Sequence, residues 1–261
     1  MNSPSNDDLK PGFIDWLFSI PFLIVFGLIL VIFEILQRIA ILFGPRPHEI
    51  VAGGLQVAIV KAFHICGMRL IVERDPQLRP NTPYLIIANH QSMFDIPIFG
   101  SVLFSNYPKY ISKKELGRGI PSISFNLRRG GNALIDRKAR EDATKVISDL
   151  GEYAQRRGVS VVIFPEGTRA RHGELGAFKP LGFQALYDAA PDLDVVFVTI
   201  DQSWKLLKFT LTPVPFGVKI RVHMSAPVKR SPNLSALDLL EQARVDMQSN
   251  LDRWREEGRS N

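Results

Sequence analysis

Residues 84–97, Tyr84 to Pro97, read YLIIANHQSMFDIP. Tyr84-Leu85-Ile86-Ile87-Ala88 is an unbroken apolar run of strand length. From Ser92 onward, SMFDIPIFGSVLF reads as a helix. Ser92 stands at an N-cap position with Asp95 three residues on, the spacing of a capping box. Five positions along a continuous helix would turn His90 and Asp95 well apart. A histidine in the loop before the cap escapes that constraint, because a carboxylate in the first turn can bend back to it. The two side chains can then share a hydrogen bond. It would fix the imidazole tautomer and leave the other ring nitrogen to take a proton from a hydroxyl.

The same alternation runs through the chain from about Met68. RLIVE, NALID, VSVVIFP, DVVFVTI and VKIRVHM read as further strands. AREDATKVISDLGEYAQRR, FKPLGFQALYDAA and SALDLLEQARVDMQSNLDRWREE read as further helices. In the first of these, Ala143, Val146, Ile147, Leu150 and Ala154 fall on one stripe. The long C-terminal helix from Ser235 alternates its charges, as a solvated packing helix does. Strands alternating with helices predict an α/β domain, a sheet with helices on its faces.

Polar residues gather where the apolar runs end. VVIFPEGTR, Val161 to Arg169, is a strand closing in a tight charged turn whose backbone is set by Pro165 and Gly167. Glu166, Thr168 and Arg169 supply an acceptor, a hydroxyl donor and a guanidinium at a strand's C-terminal end, where α/β sheets bind ligands. Arginine's planar fork suits a phosphate. GGNALIDR, Gly130 to Arg137, ends in the pair Asp136 and Arg137. YISKKELGRGIPSI carries Lys113 and Lys114 at a strand-to-helix junction.

A chain of 261 residues with 46% apolar and 22% charged residues can bury a sizeable core without staples. Its one cysteine, Cys66, excludes an intrachain disulfide framework and a cysteine-based metal cluster. A net charge of +6 and a pI near 9.5 point to an anionic partner: nucleic acid, a lipid surface or a phosphorylated substrate. No interleaving of aromatic and basic residues supports nucleic acid. No G-x-S-x-G elbow offers a serine nucleophile, and no H-E-x-x-H offers a metal site.

The N-terminal third favours the lipid surface. Trp16 to Phe33 carries no charge and is at the threshold length for a membrane-crossing helix. Pro21 is expected in its first turn or at a kink. Glu34 and Arg38 are one helical turn apart and can pair. Asp7, Asp8 and Asp15 against Lys10, with no small-residue cleavage site following, argue against a secretory signal. FGPRPHEIVAGG reads as a hinge, and Gly54 to Leu70 as an amphipathic helix, lying either on the bilayer interface or on the surface of the soluble domain. The expected layout is a polar tail at 1–11, a membrane-anchoring helical segment at 12–68 and the α/β domain at 69–261. Arg38 and Arg46 on the C-terminal side of the apolar run, against Lys10 on the other, are expected to leave that domain on the cytoplasmic side.

N-H-x4-D, then G-x4-D-R, then F-P-E-G-T-R, in this order, resembles the glycerolipid acyltransferases, and most of all the bacterial lysophosphatidate acyltransferases. The resemblance covers about Leu70 to Met224. It implies a mixed β-sheet flanked by helices, of the glycerol-3-phosphate acyltransferase kind, behind an N-terminal membrane helix segment. It implies His90 as general base and Asp95 as its orienting partner. It implies Arg137 and Arg169 as ligands of the acceptor's phosphate, with Lys113 as a third cation. Glu166, Gly167 and Thr168 would shape that pocket, Glu166 by holding Arg169 or a glycerol hydroxyl.

The implied reaction moves a fatty acyl group from an acyl thioester, on acyl carrier protein or coenzyme A, to the sn-2 hydroxyl of lysophosphatidate. Phosphatidate is the product, and no metal or cofactor beyond the acyl carrier is expected. The alternatives are the same chemistry on glycerol 3-phosphate, another lysophospholipid or a lyso-aminolipid, and a non-catalytic membrane-associated binding protein. One departure bears on the acceptor: VVFVTID carries Phe197 where the family's fourth motif has proline.

Overall fold

A computed structural model describes residues 10–136, 139–170, 172–231 and 233–259. Most of the expected polar tail, and Arg137, lie outside the described residues. The remainder forms one mixed, seven-stranded sheet between two helical layers. The strands are β1 (Arg69–Arg74), β2 (Tyr84–Ala88), β3 (Lys109–Lys113), β4 (Ala133–Ile135), β5 (Val161–Ile163), β6 (Asp194–Asp201) and β7 (Lys219–Met224). Their spatial order is β1-β7-β6-β2-β5-β3-β4. The five from β6 to β4 run parallel, while β7 is antiparallel to β6 and parallel to β1. The C-terminal ends of β6, β2, β5, β3 and β4 therefore share one edge.

The helices are α1 (Phe13–Ala40), α2 (Pro45–Ala62), α3 (Asp95–Val102), α4 (Ile123–Arg129), α5 (Arg140–Arg157), α6 (Pro180–Ala189) and α7 (Ala236–Arg259). Period-2 geometry sorts β2 between the layers. Tyr84, Ile86 and Ala88 pack on the side of α1, α2 and α3. Leu85 and Ile87 pack on the side of α5, α6 and α7. Helices cover both faces, so the strand reads as a continuous apolar run rather than an alternation. The α5 stripe is as expected: Ile147, Leu150 and Ala154 are buried, and Ala143 and Val146 partly so. Phe197 lies in the same layer, its N–H donating to Ser225 Oγ at 2.9 Å. A proline there could not make that bond.

Four local expectations are corrected. Pro21 sits well inside α1, which continues past it to Ala40. FGPRPHEIVAGG is not a hinge: Pro45 opens α2 directly after Gly44, whose φ of 109° turns the chain. Proline is favoured at a first helical turn because its missing N–H is an orphan there anyway. The helix expected at Gly54 to Leu70 is the second half of α2, followed by a 3-10 turn at Phe63–Cys66 and then β1. Ser92 does not cap α3, whose cap residue is Phe94. Only the carboxylate half of the expected box forms: Asp95 Oδ2 accepts the Ser92 N–H at 2.9 Å.

α1 lies along the domain. Ser19, Phe22, Leu30, Gln37 and Ala40 form its buried stripe, and Phe22 meets the Phe63 ring at 4.5 Å. Polar tethers hold both ends. Asp15 Oδ1 accepts the Phe216 N–H at 2.8 Å, and Ser19 Oγ the Val214 N–H at 2.8 Å. Further along, Glu34 pairs with Arg38 as expected, and its other oxygen accepts the Ser122 N–H at 2.6 Å. The outer stripe, with Ile14, Leu17, Ile24, Leu28, Val31 and Ile35, is exposed. Two helical stretches, Phe13–Phe43 and Pro45–Cys66, are long and apolar enough to cross a membrane.

Candidate active site

His90 stands in the loop that leaves β2, and Asp95 opens α3. The loop brings them together: His90 Nδ1 lies 2.8 Å from Asp95 Oδ2. The same oxygen accepts the backbone N–H of Gln91 at 2.7 Å and of Ser92 at 2.9 Å. Its partner oxygen, Oδ1, accepts from Ser203 Oγ at 2.5 Å. Asp95 is fully buried and accepts three other donors, which suits an ionised carboxylate facing the protonated Nδ1 tautomer. Nε2 has no partner among the described residues, and the His90 side chain keeps 14% of its surface exposed. This is an imidazole with one nitrogen fixed and the other open to a substrate.

The loop after β5 packs on this histidine. Phe164 stacks on the imidazole with ring centroids 4.1 Å apart and planes at 19°. Glu166 is buried, and both of its oxygens are taken by backbone N–H groups. One carboxylate oxygen accepts the His90 N–H at 2.7 Å and the other the Gly176 N–H at 2.8 Å. The Ala170 N–H donates to the His90 carbonyl at 2.7 Å. Burial pushes the Glu166 carboxyl above the usual carboxylate range, against the two N–H donors that favour its charge. Gly167 turns the chain with φ at 67°, and a Cβ there would meet Lys179 Nζ at 3.3 Å.

Gly167 and Thr168 lie in that turn, and Thr168 and Arg169 are exposed. Lys113 ends β3 with its side chain exposed. β5 separates β3 from β2, so Lys113 reaches the same edge as His90. β4 is next in the sheet, and its continuation carries the exposed Asp136. Arg137 follows, outside the described residues. Among the described residues no group of three or more His, Cys, Asp and Glu could hold a metal ion.

Three participants went unassigned in the sequence. Phe164 stood inside the F-P-E-G-T-R motif with no role. Lys179 had no signal beyond its charge. Ser203 had none, since only folding brings β6 beside β2.

The family model described as Acyltransferase matches residues 69–202, half of the chain and both loops of this site. The chain belongs to the acyltransferase family. Among its curated relatives is the 1-acyl-sn-glycerol-3-phosphate acyltransferase alpha of Mus musculus, 30% identical over 64% of this chain. The chain spans 58% of that relative's length. The 1-acyl-sn-glycerol-3-phosphate acyltransferase of Escherichia coli is 27% identical over 82% of each chain. The 1-acyl-sn-glycerophosphate (LPA) acyltransferase PlsC of Thermotoga maritima shares the fold. Its TM-score is 0.72 at 18% identity, over 92% of this chain and 96% of that one.

Proposed function

We propose that the protein transfers a fatty acyl group from an acyl thioester to the sn-2 hydroxyl of lysophosphatidate, giving phosphatidate. The observation that carries this reading is the His90–Asp95 pair with Nε2 open at a sheet edge shared with exposed cations. His90 Nε2 takes the hydroxyl proton as the oxygen attacks the thioester carbonyl. The carbon–sulfur bond then breaks, and the leaving thiolate takes the proton back from the imidazolium. Asp95 holds the ring and stabilises its transient charge. Because a thioester is already activated, no covalent enzyme intermediate and no resident cofactor are needed. Arg169, Lys113 and Arg137 receive the acceptor's phosphate; the names of the relatives cited above support that choice of acceptor.

The membrane surface is where such a lipid would be met. α1 presents an apolar outer stripe and is hydrogen-bonded to the domain near both ends. This arrangement suits a helix lying in one leaflet of the inner membrane, with the catalytic domain on the cytoplasmic side. The Phe26 ring on α1 lies 6.3 Å from that of Phe94, in the His90–Asp95 loop. The acceptor therefore has a short path from bilayer to base.

The test is acyl transfer by the purified full chain in detergent, with labelled acyl-thioester and lysophosphatidate. His90→Ala is expected to lower kcat by ~10²–10⁴-fold. Arg169→Ala is expected to raise KM for lysophosphatidate. A His90→Ala protein as active as wild type would remove the base. Transfer only to acceptors without phosphate, indifferent to Arg169→Ala, would remove the acceptor assignment.

A further inference from the structure

We propose that Ser203 is a positioning residue of the His90–Asp95 pair, holding the carboxylate by its second oxygen so that the first stays turned to the imidazole. The inference rests on the reading of His90 as the base. Asp95 is fully buried, so each of its oxygens needs a protein donor. Oδ2 has three: His90 Nδ1, the Gln91 N–H and the Ser92 N–H. Among the described residues Oδ1 has one, Ser203 Oγ at 2.5 Å. Ser203 is itself fully buried. It therefore touches no substrate and can act on the reaction only through Asp95.

Its placement is built. Asn89, next to the histidine, donates to the Ile200 carbonyl at 2.9 Å and accepts the Ile200 N–H at 2.7 Å. This locks the loop after β2 to the end of β6. Gln202 then turns left-handed, with φ at 70°, and delivers Ser203 beneath the carboxylate. The Gln202 N–H closes that turn on Asp201 Oδ1 at 2.8 Å. Ser203 lies 108 positions from Asp95, one residue beyond the stretch that matches the family.

Without the hydroxyl, Oδ1 would be buried with no donor among the described residues. The carboxylate could then recover a partner only by rotating, and rotation moves Oδ2 off Nδ1. A rotated Asp95 leaves the ring free to turn Nε2 away from the substrate, a loss expected in kcat rather than in binding.

The experiment is a double-mutant cycle on the full chain in detergent, with Ser203→Ala, Asp95→Asn and both together. Ser203→Ala is expected to lower kcat by about 10- to 100-fold. KM for each substrate should stay within about twofold. In the Asp95→Asn background the same change should cost less than about twofold, because its route to the histidine is already broken. A folded Ser203→Ala protein with wild-type kcat overturns the inference. So does a loss confined to KM, or an equal loss in both backgrounds. Thermal melting reports folding; if the alanine variant does not fold, Ser203→Cys carries the test. It keeps the side-chain shape with a weaker donor, should show a kcat between the two, and overturns the inference with a wild-type kcat. His90→Ala separates the levels. If it is inactive while Ser203→Ala is unaffected, only this inference falls; if it is fully active, the base and this inference fall together.

Discussion

Glu166 and His90 are 76 positions apart in sequence and meet through one hydrogen bond. The carboxylate stitches the loop after β5 to the loop after β2 and to Gly176, where a Cβ would lie 2.6 Å from Glu166 Oε2. Glu166→Ala leaves two N–H groups without their acceptor, and kcat/KM is expected to fall about 10- to 100-fold in acyl-transfer assays. Burial raises the carboxyl's folded pKa above its ordinary value of 4.5. The folded state then holds the proton longer than the unfolded chain does. The stability from this group is full below 4.5 and is lost as pH rises through the folded value. Melting curves of wild type and Glu166→Gln across that range should diverge in favour of the glutamine variant as pH rises. The opposite trend would mean that the N–H donors outweigh burial. At this scale the sequence names the residue types. It does not say which carboxylate faces a substrate and which faces the backbone, because exposure depends on the packing of loops distant in sequence.

Helices and strands were legible wherever periodicity and caps agree. α7 opens with Ser235, whose hydroxyl accepts the Asp238 N–H at 3.2 Å while Asp238 Oδ2 accepts the Ser235 N–H at 2.9 Å. Ser235→Ala is expected to cost ~1 kcal/mol, seen as a lower Tm with kcat unchanged. An unaltered Tm would mean that α7 is held by its apolar face alone. That face is large: Leu239, Ala243, Met247 and Leu251 are buried against the core. α4 is short, and no stripe announces it. Its clearest constraint is tertiary: Ser122 before it has φ at 63° and donates to the Leu30 carbonyl at 2.5 Å. The Gly- and Pro-rich stretch before α2 misleads for the converse reason. Pro45 and Pro47 fall in a first turn, where the missing N–H costs nothing.

For the whole molecule the decisive feature is α1, apolar nearly all round yet buried on one stripe only. Ile24 and Val31 keep 60% and 55% of their surface exposed and face away from the sheet. Ile24→Glu with Val31→Glu should abolish sedimentation with phospholipid vesicles and leave the unfolding free energy in detergent within about 0.5 kcal/mol of wild type. Full vesicle binding by this variant would place the membrane contact elsewhere. Phe22 on the opposite stripe is fully buried, against Phe63. The same helix thus contributes one stripe to the core and leaves another, apolar, exposed.

The sequence by itself determined the alternation of strands and helices, the apolar N-terminal helix and the motifs that place this chain among the acyltransferases. These are local properties: periodicity, turn chemistry and spacing within one loop. His90 and Asp95 belong here too, since a strand, a loop and a first helical turn suffice to join them. Tertiary structure alone decided that Glu166 serves the His90 backbone, that Phe164 stacks on its ring and that Ser203 holds Asp95. Each of these contacts crosses between strands that are neighbours in the sheet and distant in the chain. Strand order is set by how whole apolar faces are buried, and no short stretch of residues encodes it.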